Sequence, residues 1–123
     1  MARIIVVDDD KDICEMVQYR LTTIGMKVDA FHDGEAGLEA IVGNPPDLAI
    51  VDMMMPKMNG LEVTQAVRAN PATKDLPIVI FTALDGAEFR EAVHEAGTDN
   101  YVIKPFSVAA LAAYVEKLLG SRT

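Results

Sequence analysis

Cysteine is almost absent from this chain, with one residue, Cys14, in 123. A lone thiol closes no internal disulfide, so the fold must rest on its core, and a reducing cytoplasmic setting is expected. Basic residues are also short, eleven Lys and Arg against nineteen Asp and Glu, for a formal net charge of −8. That balance disfavours direct contact with a nucleic-acid backbone, which asks for clustered cations. It suits a divalent cation if the carboxylates are gathered in one place. No apolar run approaches the roughly 20 residues of a membrane span. The opening Met1-Ala2-Arg3 leads into only four apolar residues, Ile4 to Val7, too few for a signal-peptide core, so no membrane insertion is expected. Low-complexity tracts and internal linkers are missing too. What remains is a chain that is half apolar, enough for one domain over residues 1–123 with one core.

The apolar residues come in short runs. Ile4 to Val7 is β-branched, reads as a buried strand and ends on Asp8-Asp9-Asp10. A helix is predicted over roughly Lys11 to Ile24, with Ile13, Val17 and Leu21 on one face, Asp10 or Asp12 serving its amino end and Gly25 closing it. Lys27 to Phe31 alternates like a strand. Asp33-Gly34 reads as a turn, and Glu35 to Val42 as a short helix with Leu38, Ile41 and Val42 inward. After the breaker Gly43-Asn44-Pro45-Pro46, the run from Asp47 to Val51 ends abruptly on Asp52, with Pro56 and Gly60 marking the loop beyond.

The same alternation continues to the carboxyl end. Leu61 to Arg68 reads as a helix burying Val63 and Val67, and Leu76 to Phe81 as a strand ending on Thr82-Ala83. Ala87 to Ala96 is amphipathic with Phe89 and Val93 inward. Tyr101 to Ile103 is a short strand ending on Lys104-Pro105-Phe106. Val108 to Leu119 is a last helix burying Val108, Leu111, Val115 and Leu118. Strand–helix alternation repeated five times predicts an α/β fold, a doubly wound parallel sheet covered on both faces.

In such a sheet, ligands bind at the carboxyl ends of the strands. Those ends carry Asp8 and Asp9, Asp52, Thr82 and Lys104. Each residue alone has a plainer explanation: a solvated acidic run at a helix start, a turn-starting Asp, a strand-end Thr, a surface Lys. The plain explanations do not account for four strand ends carrying this set together. Crowded carboxylates repel and raise at least one pKa unless a cation joins them. Mg²⁺ is the natural cation, hard and content with oxygen ligands and water. A carboxylate so placed can attack a phosphoryl group, with Lys104 and Thr82 covering the charge of the transferring group.

The motifs Val6-Val7-Asp8-Asp9-Asp10, Asp52-x-x-x-Pro56-x-x-x-Gly60, Thr82-Ala83 and Lys104-Pro105-Phe106 resemble the receiver domain of two-component response regulators, over essentially the whole chain. The resemblance implies a flavodoxin-like sheet of order 2-1-3-4-5 with five helices. It implies that Asp52 accepts a phosphoryl group from a sensor histidine kinase or phosphotransfer protein. Asp9, Asp52 and the Met54 carbonyl would ligate Mg²⁺, with Asp8 acting through water. Thr82, Ala83 and Lys104 would contact the phosphoryl oxygens, Thr82 and Tyr101 would act as the switch, and the bond to Pro105 would be cis. Output is expected from the face made by the fourth helix, fifth strand and fifth helix, toward a protein target or a second copy; Ala110, Ala113, Tyr114 and Lys117 present a flat surface there. Met54 and Leu84 are expected to border the approach of hydrolytic water; being apolar, they favour slow self-dephosphorylation. No output module is expected after the last helix, which leaves a stand-alone receiver or an excised one.

Two rivals come from other classes. Asp8-Asp9-Asp10 also fits the Asp-x-Asp of a Mg²⁺-dependent haloacid-dehalogenase-like phosphohydrolase, with Asp8 as nucleophile and Asp10 as acid/base. The second rival is a degenerate receiver-like binding module that never takes phosphate, although no acceptor or metal position is missing. A flavodoxin-type small-molecule site is weaker, since no Gly-rich phosphate loop follows the first strand.

Overall fold

Strands and helices alternate as β1 (Arg3–Val7), α1 (Lys11–Thr23), β2 (Lys27–Phe31), α2 (Gly34–Gly43), β3 (Leu48–Asp52), α3 (Gly60–Ala69), β4 (Ile78–Thr82), α4 (Ala87–Ala96), β5 (Asn100–Ile103) and α5 (Val108–Gly120). The structure, a computed structural model, describes residues 1–83, 86–98 and 100–120. Its strands form one parallel sheet in the order β2-β1-β3-β4-β5. This is the flavodoxin-like arrangement that the sequence resemblance implies.

Alternation along the buried strands divides the core in two. Ile4, Val6, Leu48, Ile50, Val79 and Phe81 face α1 and α5. Ile5, Val7, Ala49, Val51, Ile78 and Ile80 face α2, α3 and α4. Each fully buried aliphatic side chain contributes about 1.5–3 kcal/mol. The three central strands are therefore the rigid part of the fold, and their carboxyl ends inherit that rigidity. Among the described residues no helix is long and apolar enough to cross a membrane.

Several local expectations shift. The α1 stripe is Cys14, Val17 and Leu21, while Ile13 lies at its edge, half-buried. Cys14 is wholly buried. In α2 the inward line is Gly34, Gly37 and Ile41, and Val42 is 38% exposed. The reason is rotational: Val42 lies about 100° around the helix from Ile41, past the face that meets the sheet. Val108 and Leu118 are half-buried at the margins of α5. Asp47 precedes β3 and accepts from the Arg3 amide at 2.8 Å.

The helix starts follow capping chemistry. Asp10, not Asp12, caps α1, accepting from the amides of Asp12 and Ile13 at 3.0 and 3.3 Å. Asp33 caps α2, and Asn59 forms a reciprocal capping box with Glu62 on α3.

Candidate functional site

Strand register assembles the site. Val7 pairs with Val51, so the residues that follow, Asp8 and Asp52, stand abreast on adjoining strands. Asp52 pairs with Phe81, and Thr82 with Ile103, which brings Lys104 next in line. Carboxylate oxygens of Asp8, Asp9 and Asp52 all lie within 4.8 Å of one another. The acidic run at the end of β1 is thus divided by role: Asp10 caps a helix, Asp8 is wholly buried, and Asp9 is exposed.

Lys104 ties the buried pair together. Its Nζ donates to Asp8 Oδ2 at 2.9 Å and to Asp52 Oδ1 at 3.3 Å. Its ammonium also lies 5.8 Å from the centroid of the Phe81 ring, which stacks on Phe106. Asp8 Oδ1 accepts the Asp10 amide at 2.9 Å. Both Asp8 oxygens are therefore engaged and its side chain has no exposed face. This counts against the phosphohydrolase alternative with Asp8 as nucleophile, because an attacking carboxylate needs a line of approach. Asp52 is 5% exposed and also accepts from the Met54 backbone.

The electrostatics differ in cause from the crowding expected. Asp52 is pushed up to about 6, first by burial and second by the Asp8 charge, against the pull of Lys104. Desolvation thus outweighs carboxylate repulsion. For Lys104, burial works against the charged form, but the bonds and charges of Asp8 and then Asp52 prevail and raise its pKa. Cys14 Sγ donates to the Asp8 carbonyl at 3.4 Å, and burial, then the Asp8 charge, pushes its thiol up to about 11. No sequence signal pointed to Cys14, because an apolar helix position and a neighbour of the acidic cluster look alike in a linear chain.

The loop after Asp52 is shaped by close approach. A Cβ on Gly60 would sit 2.6 Å from the Asp52 carbonyl oxygen, and the Gly60 amide donates to the Met53 carbonyl at 3.1 Å. Gly34 is similarly pressed against the Met58 carbonyl, which seats the loop on α2. Met54, two residues past Asp52, is 66% exposed.

Thr82 is buried, Ala83 is exposed, and the Lys104–Pro105 bond is cis. Leu84 lies outside the described residues. Tyr101 is half-buried, edge-on to Phe89.

A model of the response regulator receiver domain matches residues 4–116. The chain belongs to the response regulator receiver domain family. The receiver is 38% identical over 120 residues to the transcriptional regulatory protein QseB of Haemophilus influenzae, covering 98% of this chain and 53% of that protein. It is 41% identical over 117 residues to the response regulator MprA of Mycobacterium ulcerans, covering 95% and 50%. The chain thus spans about half the length of these curated relatives.

Solved structures agree on the fold of the receiver. The Francisella response regulator 1452 receiver domain superposes with a TM-score of 0.92 at 28% identity over 100% of both chains. Vibrio cholerae chemotaxis protein CheY4 gives 0.90 at 30% identity, over 95% of this chain and 98% of that one.

Proposed function

We propose that this receiver is a phosphorylation-activated switch with Asp52 as its acceptor. The observation that carries this reading is Lys104 bridging two buried aspartates that lie beside an exposed third. An Asp52 oxygen attacks the phosphorus of a phosphohistidine or small acyl phosphate, the bond to the donor breaks, and an aspartyl phosphate forms. Lys104 already holds Asp52 Oδ1, so its ammonium is at hand as charge builds on the transferred group. Thr82 and the Ala83 amide are proposed as the remaining phosphoryl contacts.

The donor set fits a hard divalent cation, since it offers carboxylate oxygens within 4.8 Å and no sulfur or imidazole. Asp9 and Asp52, with the Met54 carbonyl, would hold Mg²⁺, and Asp8 would act through water. When bound, Mg²⁺ neutralises charge on the transferring group. The receiver would catalyse only its own phosphorylation and a slow self-dephosphorylation, with Met54 and Leu84 bordering the approach of water. Donors would be a sensor histidine kinase or a phosphotransfer protein of the cytoplasm.

Output is proposed through the α4-β5-α5 face, with Thr82 and Tyr101 as the switch. A groove of about 410 Å³ there is lined by Tyr101, Phe106, Ala110, Leu111 and Tyr114, among others. Tyr114 Oη donates to Asn100 Oδ1 at 3.0 Å, so this ring is a fixed wall rather than part of a flat surface. A protein target or a second copy would dock on this face. The net charge of −8 makes direct nucleic-acid contact by the receiver unfavourable.

The test is incubation with Mg²⁺ and acetyl phosphate followed by intact mass. Wild type should gain one base-labile adduct and Asp52→Ala none. An adduct of full yield in Asp52→Ala would overturn the assignment.

A further inference from the structure

A cleft of about 410 Å³ adjoins the acceptor site. Two of its lining residues, Ala83 and Lys104, are the proposed phosphoryl contacts. The others are apolar: Ile13 and Met16 of α1, and Pro105 and Phe106 of the segment that joins β5 to α5. Lys104 Nζ lies 3.3 Å from Asp52 Oδ1, so one lysine belongs both to the acceptor and to the cleft.

Local structure fixes both apolar walls. Asp10 caps α1 and accepts the Ile13 amide at 3.3 Å, which sets the first turn of the helix. Met16 stands three residues on, on the same side of α1. It is 43% exposed, so its side chain is a surface group rather than a core one. On the other wall, the Phe106 ring stacks on the buried Phe81 with centroids 4.6 Å apart.

The lining limits what the cleft suits. Lys104 is its charged residue, and Asp8 and Asp52 already engage it. A polar group placed against the rest would lose water and find no partner. An apolar group joined to a phosphate meets matching surface at both ends, the phosphate at Lys104 and the chain on Ile13, Met16 and Phe106.

We propose that this cleft holds the organic part of a small phosphoryl donor, so that the receiver takes phosphate more readily from acyl phosphates with a longer apolar chain, such as butyryl phosphate, than from acetyl phosphate. This rests on the reading of Asp52 as acceptor. An Asp52 oxygen attacks phosphorus, and the bond from phosphorus to the acyl oxygen breaks. That oxygen keeps the electron pair and leaves as a free carboxylate, and no proton moves. Acetate and butyrate are similar leaving groups, so a difference between the two donors reports on the chain and not on the bond that breaks. A fully buried methylene is worth about fourfold, and part burial of the two that butyryl adds gives about tenfold.

The experiment measures second-order rate constants for adduct formation with acetyl, propionyl and butyryl phosphate in Mg²⁺, by intact mass over time. The proteins are wild type, Met16→Gln, Ile13→Thr and Val42→Gln. In wild type the rate constant should climb along the series, to a butyryl-to-acetyl ratio of about ten. Met16→Gln and Ile13→Thr should each bring that ratio below about three, the loss of roughly one buried methylene or more. Met16→Gln changes a surface side chain and carries the test if Ile13→Thr does not fold. Val42→Gln removes an exposed apolar group from α2, on the other face of the sheet, and should leave the ratio at its wild-type value. Adducts from all three donors with a wild-type ratio near one overturn the proposal alone and leave the cleft to a protein donor. A wild-type ratio that persists in both Met16→Gln and Ile13→Thr overturns it as well. No adduct from any donor overturns the acceptor reading, and the donor preference with it.

Discussion

Replacing Asp52 with Asn is expected to stabilise the metal-free protein at neutral and alkaline pH. Burial, then the charge of Asp8, lifts the Asp52 carboxyl from 3.8 to about 6. The folded state therefore holds this proton more tightly than the unfolded chain does. The sign is opposite to that of a salt-bridged surface Asp. Stability associated with Asp52 is greatest below about pH 4 and is lost as pH rises through 6. Each pKa unit is 1.36 kcal/mol, so ionised Asp52 costs the fold at most about 3 kcal/mol at pH 8. Asn imitates the neutral acid imperfectly and gives up the ion pair with Lys104, so a gain of about 1–3 kcal/mol is expected. With a urea dependence of about 1–3 kcal/mol per M, the midpoint should rise by roughly 1 M. The assay is urea unfolding of wild type and Asp52→Asn in a chelator, from pH 4 to pH 8. The difference between them cancels the titrating groups that do not interact with Asp52. It should be near zero at pH 4 and grow in favour of Asp52→Asn toward pH 8. A flat difference, or a more stable wild type at pH 8, refutes the reasoning.

Lys104→Met should leave Asp8 buried and unpaired, costing on the order of 3 kcal/mol in the same assay; an unchanged midpoint would show that the pair contributes nothing. Gly60→Ala forces a Cβ to within 2.6 Å of the Asp52 carbonyl oxygen. It should lower stability by about 1–3 kcal/mol and slow adduct formation with acetyl phosphate, and a normal rate would separate the loop from the acceptor. Met54→Asn with Leu84→Glu should change the decay of the isolated phosphoprotein by about ten- to a hundredfold, the equivalent of about 1–3 kcal/mol in barrier. Equal decay in wild type would remove apolar shielding as the control on lifetime.

Much of this was legible in the linear chain because it depends on short-range pattern. Apolar runs that end on Asp8, Asp52, Thr82 and Lys104 locate the strand ends, and parallel topology brings those ends together. Side-chain assignments made from helical spacing fared less well at the margins. Ile13 and Val42 are apolar at plausible positions, but Cys14 and Gly37 occupy the lines that meet the sheet, and small residues give weak signals. The Lys104–Asp8 bond joins residues 96 apart, and no local pattern says which carboxylate a lysine will choose. The role of Gly60 as a contact surface for the Asp52 backbone, rather than only a turn marker, likewise required three-dimensional proximity. Carboxylate crowding predicts that at least one pKa rises without saying which, whereas the leading cause at Asp52, desolvation, depends on burial that only the fold supplies.

The central claim is that Asp52 alone carries the phosphoryl group, and the most direct measurement locates the modified residue. The protein is phosphorylated with acetyl phosphate and Mg²⁺, reduced with borohydride to convert the acyl phosphate to homoserine, digested and sequenced by tandem mass spectrometry. Homoserine in place of Asp52, with Asp8 and Asp9 intact, is the predicted result. Homoserine in place of Asp8 or Asp9, or at no position, would contradict it.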